Sequence, residues 1–136
     1  MSKIAMLIVA SCTLFWGTNF ENDRHVGKWS GEDNGDFGSM ILDAEGYATF
    51  EFDGRTMGGN GKTGERSLEY KIDYNTDPIE IDFIMKNVAD ASELGRLRGI
   101  IEFLTKDQMK LAIQFDPSAS RPTDFAANAI TLNRVE

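Results

Sequence analysis

The chain holds one cysteine, Cys12, and one histidine, His25, in 136 residues. A single thiol excludes an intramolecular disulfide in any compartment, so packing alone must hold the fold. With no cysteine beyond Cys12, zinc centres and nucleophile–base pairs lack their usual parts, and His25 is expected to be an exposed residue of a linker. Long apolar runs are missing as well. The N-terminal apolar stretch is interrupted by Ser11, Cys12 and Thr13 and falls short of the ~20 residues that span a bilayer. Basic residues are outnumbered, 14 Lys and Arg against 22 Asp and Glu for a formal charge of −8, and the acids are spread along the chain. Phosphate backbones demand clustered Lys and Arg, and an anionic bilayer repels such a surface. Nucleic acid is therefore excluded as a partner, and a membrane is expected to be reached only through a lipid anchor.

What is present suffices for one core. Apolar residues at 41% and charged residues at 26% match a folded globular chain, whose length leaves room for one folded domain. Met1-Ser2-Lys3 and then Ile4 to Ala10 have the form of a secretory signal, a positive charge followed by a short apolar run ending in small residues. The following Val9-Ala10-Ser11-Cys12 looks like a bacterial lipobox, whose cysteine receives diacylglycerol and becomes the mature N-terminus. The expected organisation is a lipoprotein-type signal peptide at 1–11, a tether at 12–25 starting from lipidated Cys12, and a folded domain at 26–136, the alternative being a plain secretory signal cut near Ser11 or Cys12. Export to the cell envelope follows, with the protein lipid-anchored on a periplasmic or outer-membrane face.

From Val26 onward apolar residues alternate with period two between Gly, Asn and Asp breaks, the signature of strands. Eight are expected: 27–30, 37–42, 47–53, 66–74, 79–85, 96–104, 108–115 and 129–135. In the clearest, Leu68, Tyr70, Ile72 and Tyr74 share one face and Glu69, Lys71 and Asp73 the other. Asp43 to Gly46, Asn75 to Pro78 and Thr105 to Asp107 supply hairpin turns. Gly54 to Glu65 reads as a Gly-rich loop, Asn87 to Gly95 as a gap with a short helical turn, and Asp116 to Asn128 as an irregular crossover. Successive antiparallel strands with one apolar face each hide it best by closing on themselves. The fold class is therefore all-β, an antiparallel eight-stranded barrel in an up-and-down meander.

Gly27-Lys28-Trp29 resembles the Gly-x-Trp at the start of lipocalins, where the Trp closes one barrel end beneath a basic side chain of the last strand. Arg134 is the residue for that role here. The ordered set Tyr70-Lys71-Ile72-Asp73, Pro78-Ile79-Glu80-Ile81-Asp82, Arg98-Gly99-Ile100-Ile101-Glu102, Met109-Lys110-Leu111 and Arg121-Pro122-Thr123-Asp124-Phe125 resembles an uncharacterised lipocalin-like bacterial family abundant in planctomycetes. Its members carry an early Trp, Pro-x-x-Ile-Asp, Gly-Ile-Tyr and Arg-Pro-x-x-Phe in that order, and Ile101 stands where they usually have Tyr. The resemblance covers nearly all of Val26 to Val135. It implies a lipocalin-like (calycin) barrel and export, with Trp29, Arg134 and Arg121 as structural residues, and it implies no activity.

Motifs for chemistry are incomplete. Thr56 to Thr63 ends in the Gly-Lys-Thr of a phosphate loop, but Thr56 stands where its first glycine belongs and a strand pattern follows instead of a helix. Asp73-x-Asn75-x-Asp77 opens like a calcium loop, yet Pro78 and Ile84 occupy its glycine and bidentate-Glu positions. Glu80 with Asp82, and Asp73 with Asp77, are expected to face solvent with ordinary acidity. The protein is expected to be no enzyme and to need no cofactor or metal.

Two functions remain. A barrel of this size can cup a small apolar ligand, and Phe50, Phe52, Tyr70, Ile72, Phe83, Met85, Phe103 and Leu111 would line the pocket. Alternatively these side chains fill the interior, and the barrel presents Gly54 to Glu65, with Arg55, Met57 and Lys62, to an envelope protein as an interaction or inhibitor module.

Overall fold

The computed structural model describes residues 23–31, 38–52, 54–62, 64–127 and 129–135. The expected signal peptide, Cys12 and the tether up to residue 22 lie outside the described residues.

The described chain folds as strands β1 (Gly27–Gly31), β2 (Ser39–Leu42), β3 (Ala48–Phe52), β4 (Arg55–Gly58), β5 (Arg66–Asp73), β6 (Ile79–Asn87), β7 (Glu93–Thr105), β8 (Gln108–Gln114) and β9 (Ala129–Val135). They form one sheet in the order β4-β3-β2-β1-β9-β8-β7-β6-β5, every pairing antiparallel. The meander is thus a nearly closed lipocalin-like barrel of up-and-down strands, with first and last strands paired through Trp29↔Arg134. Each expected strand is found, and hairpin-length turns force the antiparallel order. One strand was not expected. Arg55–Gly58 belongs to the sheet, pairing Phe50 with Met57 and Phe52 with Arg55. All four of its residues are exposed, so it lacks the one-face burial that makes a strand legible as alternation.

β4 and β5 flank the seam where the barrel closes. There the ladder is reduced to a Tyr47↔Glu69 bridge, a Tyr70 N–H bond to Gly46 O at 2.9 Å and a Leu68 N–H bond to Gly59 O at 2.9 Å. Gly58 sits in the seam at φ 104°, and a Cβ there would lie 2.5 Å from Ala48 O, so no other residue fits unstrained. The gap expected at 87–95 shrinks to one turn between β6 and β7, the Ala91 N–H donating to Asn87 O at 2.7 Å.

Inward positions make the core: Trp29, Met40, Leu42, Phe50, Leu68, Phe83, Ile101, Met109, Leu111 and Leu132 are buried together. Each large apolar side chain removed from water contributes about 1.5–3 kcal/mol, which replaces the missing disulfide. The crossover after β8 is a strap on the outside of the wall. Arg98 donates to Pro117 O at 3.2 Å, and Arg121 reaches Ile81 O at 3.3 Å and Gly99 O at 3.0 Å. Ile100 and Ala112 point outward by register, and both are buried.

Candidate functional site

The two ends of the barrel are built differently. At the Gly27 end, Trp29 is fully buried, and Arg134 stacks its guanidinium 4.3 Å from the indole centroid. The same guanidinium donates to Val26 O at 2.8 Å, Arg24 O at 2.7 Å and Lys106 O at 2.9 Å, and to Asp107 Oδ1 at 3.1 Å. Gly27 makes this possible: a Cβ there would stand 2.7 Å from Arg134 Nη1. The Gly-x-Trp pattern therefore has a steric reason, a bare backbone beside an indole so that one arginine can cover both.

His25 closes the same end, and here the expectation of an exposed linker residue fails. The residue is 6% exposed, with Nδ1 2.7 Å from the Tyr74 hydroxyl and its ring edge-to-face with Tyr70 at 5.3 Å between centroids. Its carbonyl accepts the Trp29 indole N–H at 2.9 Å. Burial lowers its pKa below 6.5, opposed by the nearby charge of Asp23. Asp23 to Val26 form a turn, the Val26 N–H donating to Asp23 O at 3.1 Å, and Arg24 lies 4.4 Å from the Phe103 ring centroid. Residues 23–25, expected in the tether, thus cap the barrel, His25 buried against Tyr70 and Tyr74 and exposed Arg24 lying over Phe103.

The eight residues expected to line one pocket divide. Phe50, Tyr70, Phe83 and Leu111 are buried in the core, and Phe52, Ile72, Met85 and Phe103 pack against it half-buried. Tyr70 is a brace rather than a ligand contact: its hydroxyl donates to Asp43 O at 2.6 Å, and burial, reinforced by Asp43, pushes its pKa up to about 12. Phe103 is at the sealed end, stacked parallel to Tyr74 at 6.4 Å and beside Trp29 at 6.3 Å. One pocket cannot use all eight.

Phe52 and Met85 lie at the opposite end, with company that the sequence did not assign to the pocket. Register places Met57 on the face of Phe50 and Leu97 on that of Phe83. Met57 is 52% exposed and Phe115, which follows β8 at the same end, 63%; Phe52, Met85 and Leu97 are half-buried. Continuing the inward parity of known core strands would have found Leu97. Met57 was hidden because its strand was.

Of the carboxylates expected to face solvent, Asp73 and Asp77 do so, whereas Glu80 and Asp82 are met by arginines. Asp82 takes Arg96 Nη1 at 3.0 Å on one oxygen and Arg121 Nη1 at 2.7 Å on the other. The N–H bonds of that Arg121 nitrogen go to the Ile81 and Gly99 carbonyls, which leaves Asp82 Oδ1 a charge contact without an aligned hydrogen bond. Arg121 Nε also lies 3.6 Å from Glu80, so this arginine pins the strap to β6 and β7. Asp73 Oδ1 accepts the Asn75 N–H within its turn. Among the described residues no three His, Cys, Asp or Glu side chains converge as a metal site would require. The chain matches no family model, no curated protein and no solved structure.

Proposed function

We propose that this protein is an exported, lipid-anchored barrel that takes a small apolar ligand at the mouth opposite its sealed end. One observation carries the reading: inward apolar side chains Phe52, Met57, Met85 and Leu97 remain partly in water at one end, while the other is capped. Inward-facing apolar surface left in contact with water favours an apolar occupant. Titration with the uncharged fluorophore N-phenyl-1-naphthylamine tests it. Saturable one-to-one binding is expected, lost in Met85→Glu with the far-ultraviolet dichroism unchanged; no binding by the folded wild type overturns the reading. Anchoring is tested separately by metabolic labelling with palmitate, which Cys12→Ser is expected to abolish.

A second reading, docking to an envelope protein, is favoured by β4, a wholly exposed edge strand of the kind that partners extend. Capture of a specific partner, lost when Thr56 is replaced by Pro but unaffected by Met85→Glu, would support it over the first.

A further inference from the structure

Seven arginines are described, and five of them are occupied. Arg24 covers Phe103, Arg96 holds Asp82 and Glu93, Arg98 donates to Pro117 O, Arg121 pins the strap and Arg134 seals the Trp29 end. Arg55 and Arg66 are exposed, and neither makes an ion pair or hydrogen bond with another described residue. In a chain of net charge −8, these are two cations that no described carboxylate engages.

Register supplies their position. Arg55 pairs with Phe52, and Arg66 pairs with Asn87, two residues beyond the Leu68↔Met85 pair. Side chains alternate along a strand, so both arginines stand on the same parity as the core, at the end where Phe52, Met57 and Met85 are open. Along β3 and β4 the inward series runs from buried Phe50 through Phe52 and Met57 to Arg55; along β5 and β6 it runs from Phe83 through Leu68 and Met85 to Arg66. The lining thus changes from apolar to cationic as it reaches water. A guanidinium at such a rim keeps its hydration while its stem lies along the apolar wall, and its fork matches an oxyanion in two hydrogen bonds.

Resting on the mouth proposed above, we infer that the ligand is an anionic amphiphile, its chain in the mouth and its carboxylate or phosphate head on Arg55 and Arg66. The two headgroups share the chemistry that guanidinium recognises. An uncharged or cationic amphiphile of equal chain length leaves both arginines without a counter-charge.

Four ligands with the same twelve-carbon tail test this by displacing bound N-phenyl-1-naphthylamine from the full mature chain: dodecanoate, dodecyl phosphate, dodecanol and dodecyltrimethylammonium. One of the two anions is expected to displace at about tenfold lower concentration than dodecanol, and the cation least well; which anion leads identifies the headgroup. The preference is expected to collapse in Arg55→Gln/Arg66→Gln, to persist in Arg55→Lys/Arg66→Lys, and to shrink with added salt. Equal displacement by dodecanol and both anions, or a preference surviving in the glutamine variant, overturns the headgroup assignment and leaves the mouth standing. Displacement by none of the four overturns the mouth with it.

Discussion

Arg134 acts at the residue scale as a clasp. Its nitrogens hold carbonyls of the cap and of the β7–β8 turn while its plane covers Trp29, so anything that moves it loosens three segments together. Gly27→Ala places a methyl 2.7 Å from Nη1 at a backbone φ of 140°. A loss of about 1–3 kcal/mol is expected, read by urea denaturation, and an unchanged midpoint would show that the clasp does not depend on the bare backbone. His25 adds a pH dependence. Its folded pKa lies below the ordinary 6.5, so the unfolded chain binds the proton first as pH falls. The contribution of the neutral buried ring is complete above 6.5 and is lost as pH drops from there towards the folded value. Chemical denaturation at about pH 7 and about pH 5 should show a fall in the wild type that His25→Gln flattens; parallel falls in both proteins would contradict this. Nothing near His25 in sequence announced its burial, because the residues that bury it, Tyr70 and Tyr74, lie 45 and 49 positions away.

At the scale of elements, the seam and the strap are the places where the barrel was least legible. Strands with one buried face could be read from alternation alone, as Leu68, Tyr70 and Ile72 show, and short turns between them gave the order. β4 has no buried face, so its pairing with β3 left no periodic trace. The strap was recognised as an irregular crossover, but its placement depends on Arg121 crossing two strands to reach Ile81 O and Gly99 O, a contact that no local pattern encodes. Arg121→Ala should release it. A loss of about 1–3 kcal/mol is expected, with faster amide exchange at residues 116–127 and at Gly99 than in the rest of the sheet; uniform acceleration across the barrel would indicate general destabilisation instead.

At the scale of the whole molecule, the asymmetry of the two ends organises the account. A cap of four residues, Asp23 to Val26, together with Trp29 and Arg134 closes one end, and inward apolar residues reach water at the other. The eight aromatic and aliphatic pocket residues do not share one layer. Instead Phe103 and Tyr70 serve the cap, Phe50, Phe83 and Leu111 fill the middle, and Phe52 and Met85 reach the mouth. Sequence alternation identified which residues face inward but not at which height they lie, because height is set by register between strands.

Methionine methyls sample that height directly. Met40 and Met109 are buried in the core, whereas Met57 and Met85 stand at the mouth. The decisive measurement is a methyl-resolved NMR titration of methionine-labelled protein with dodecanoate. Saturable shifts at Met57 and Met85, with Met40 and Met109 unmoved, are the predicted result. Shifts confined to Met40 and Met109, or none at any of the four, would contradict a ligand held at the open end.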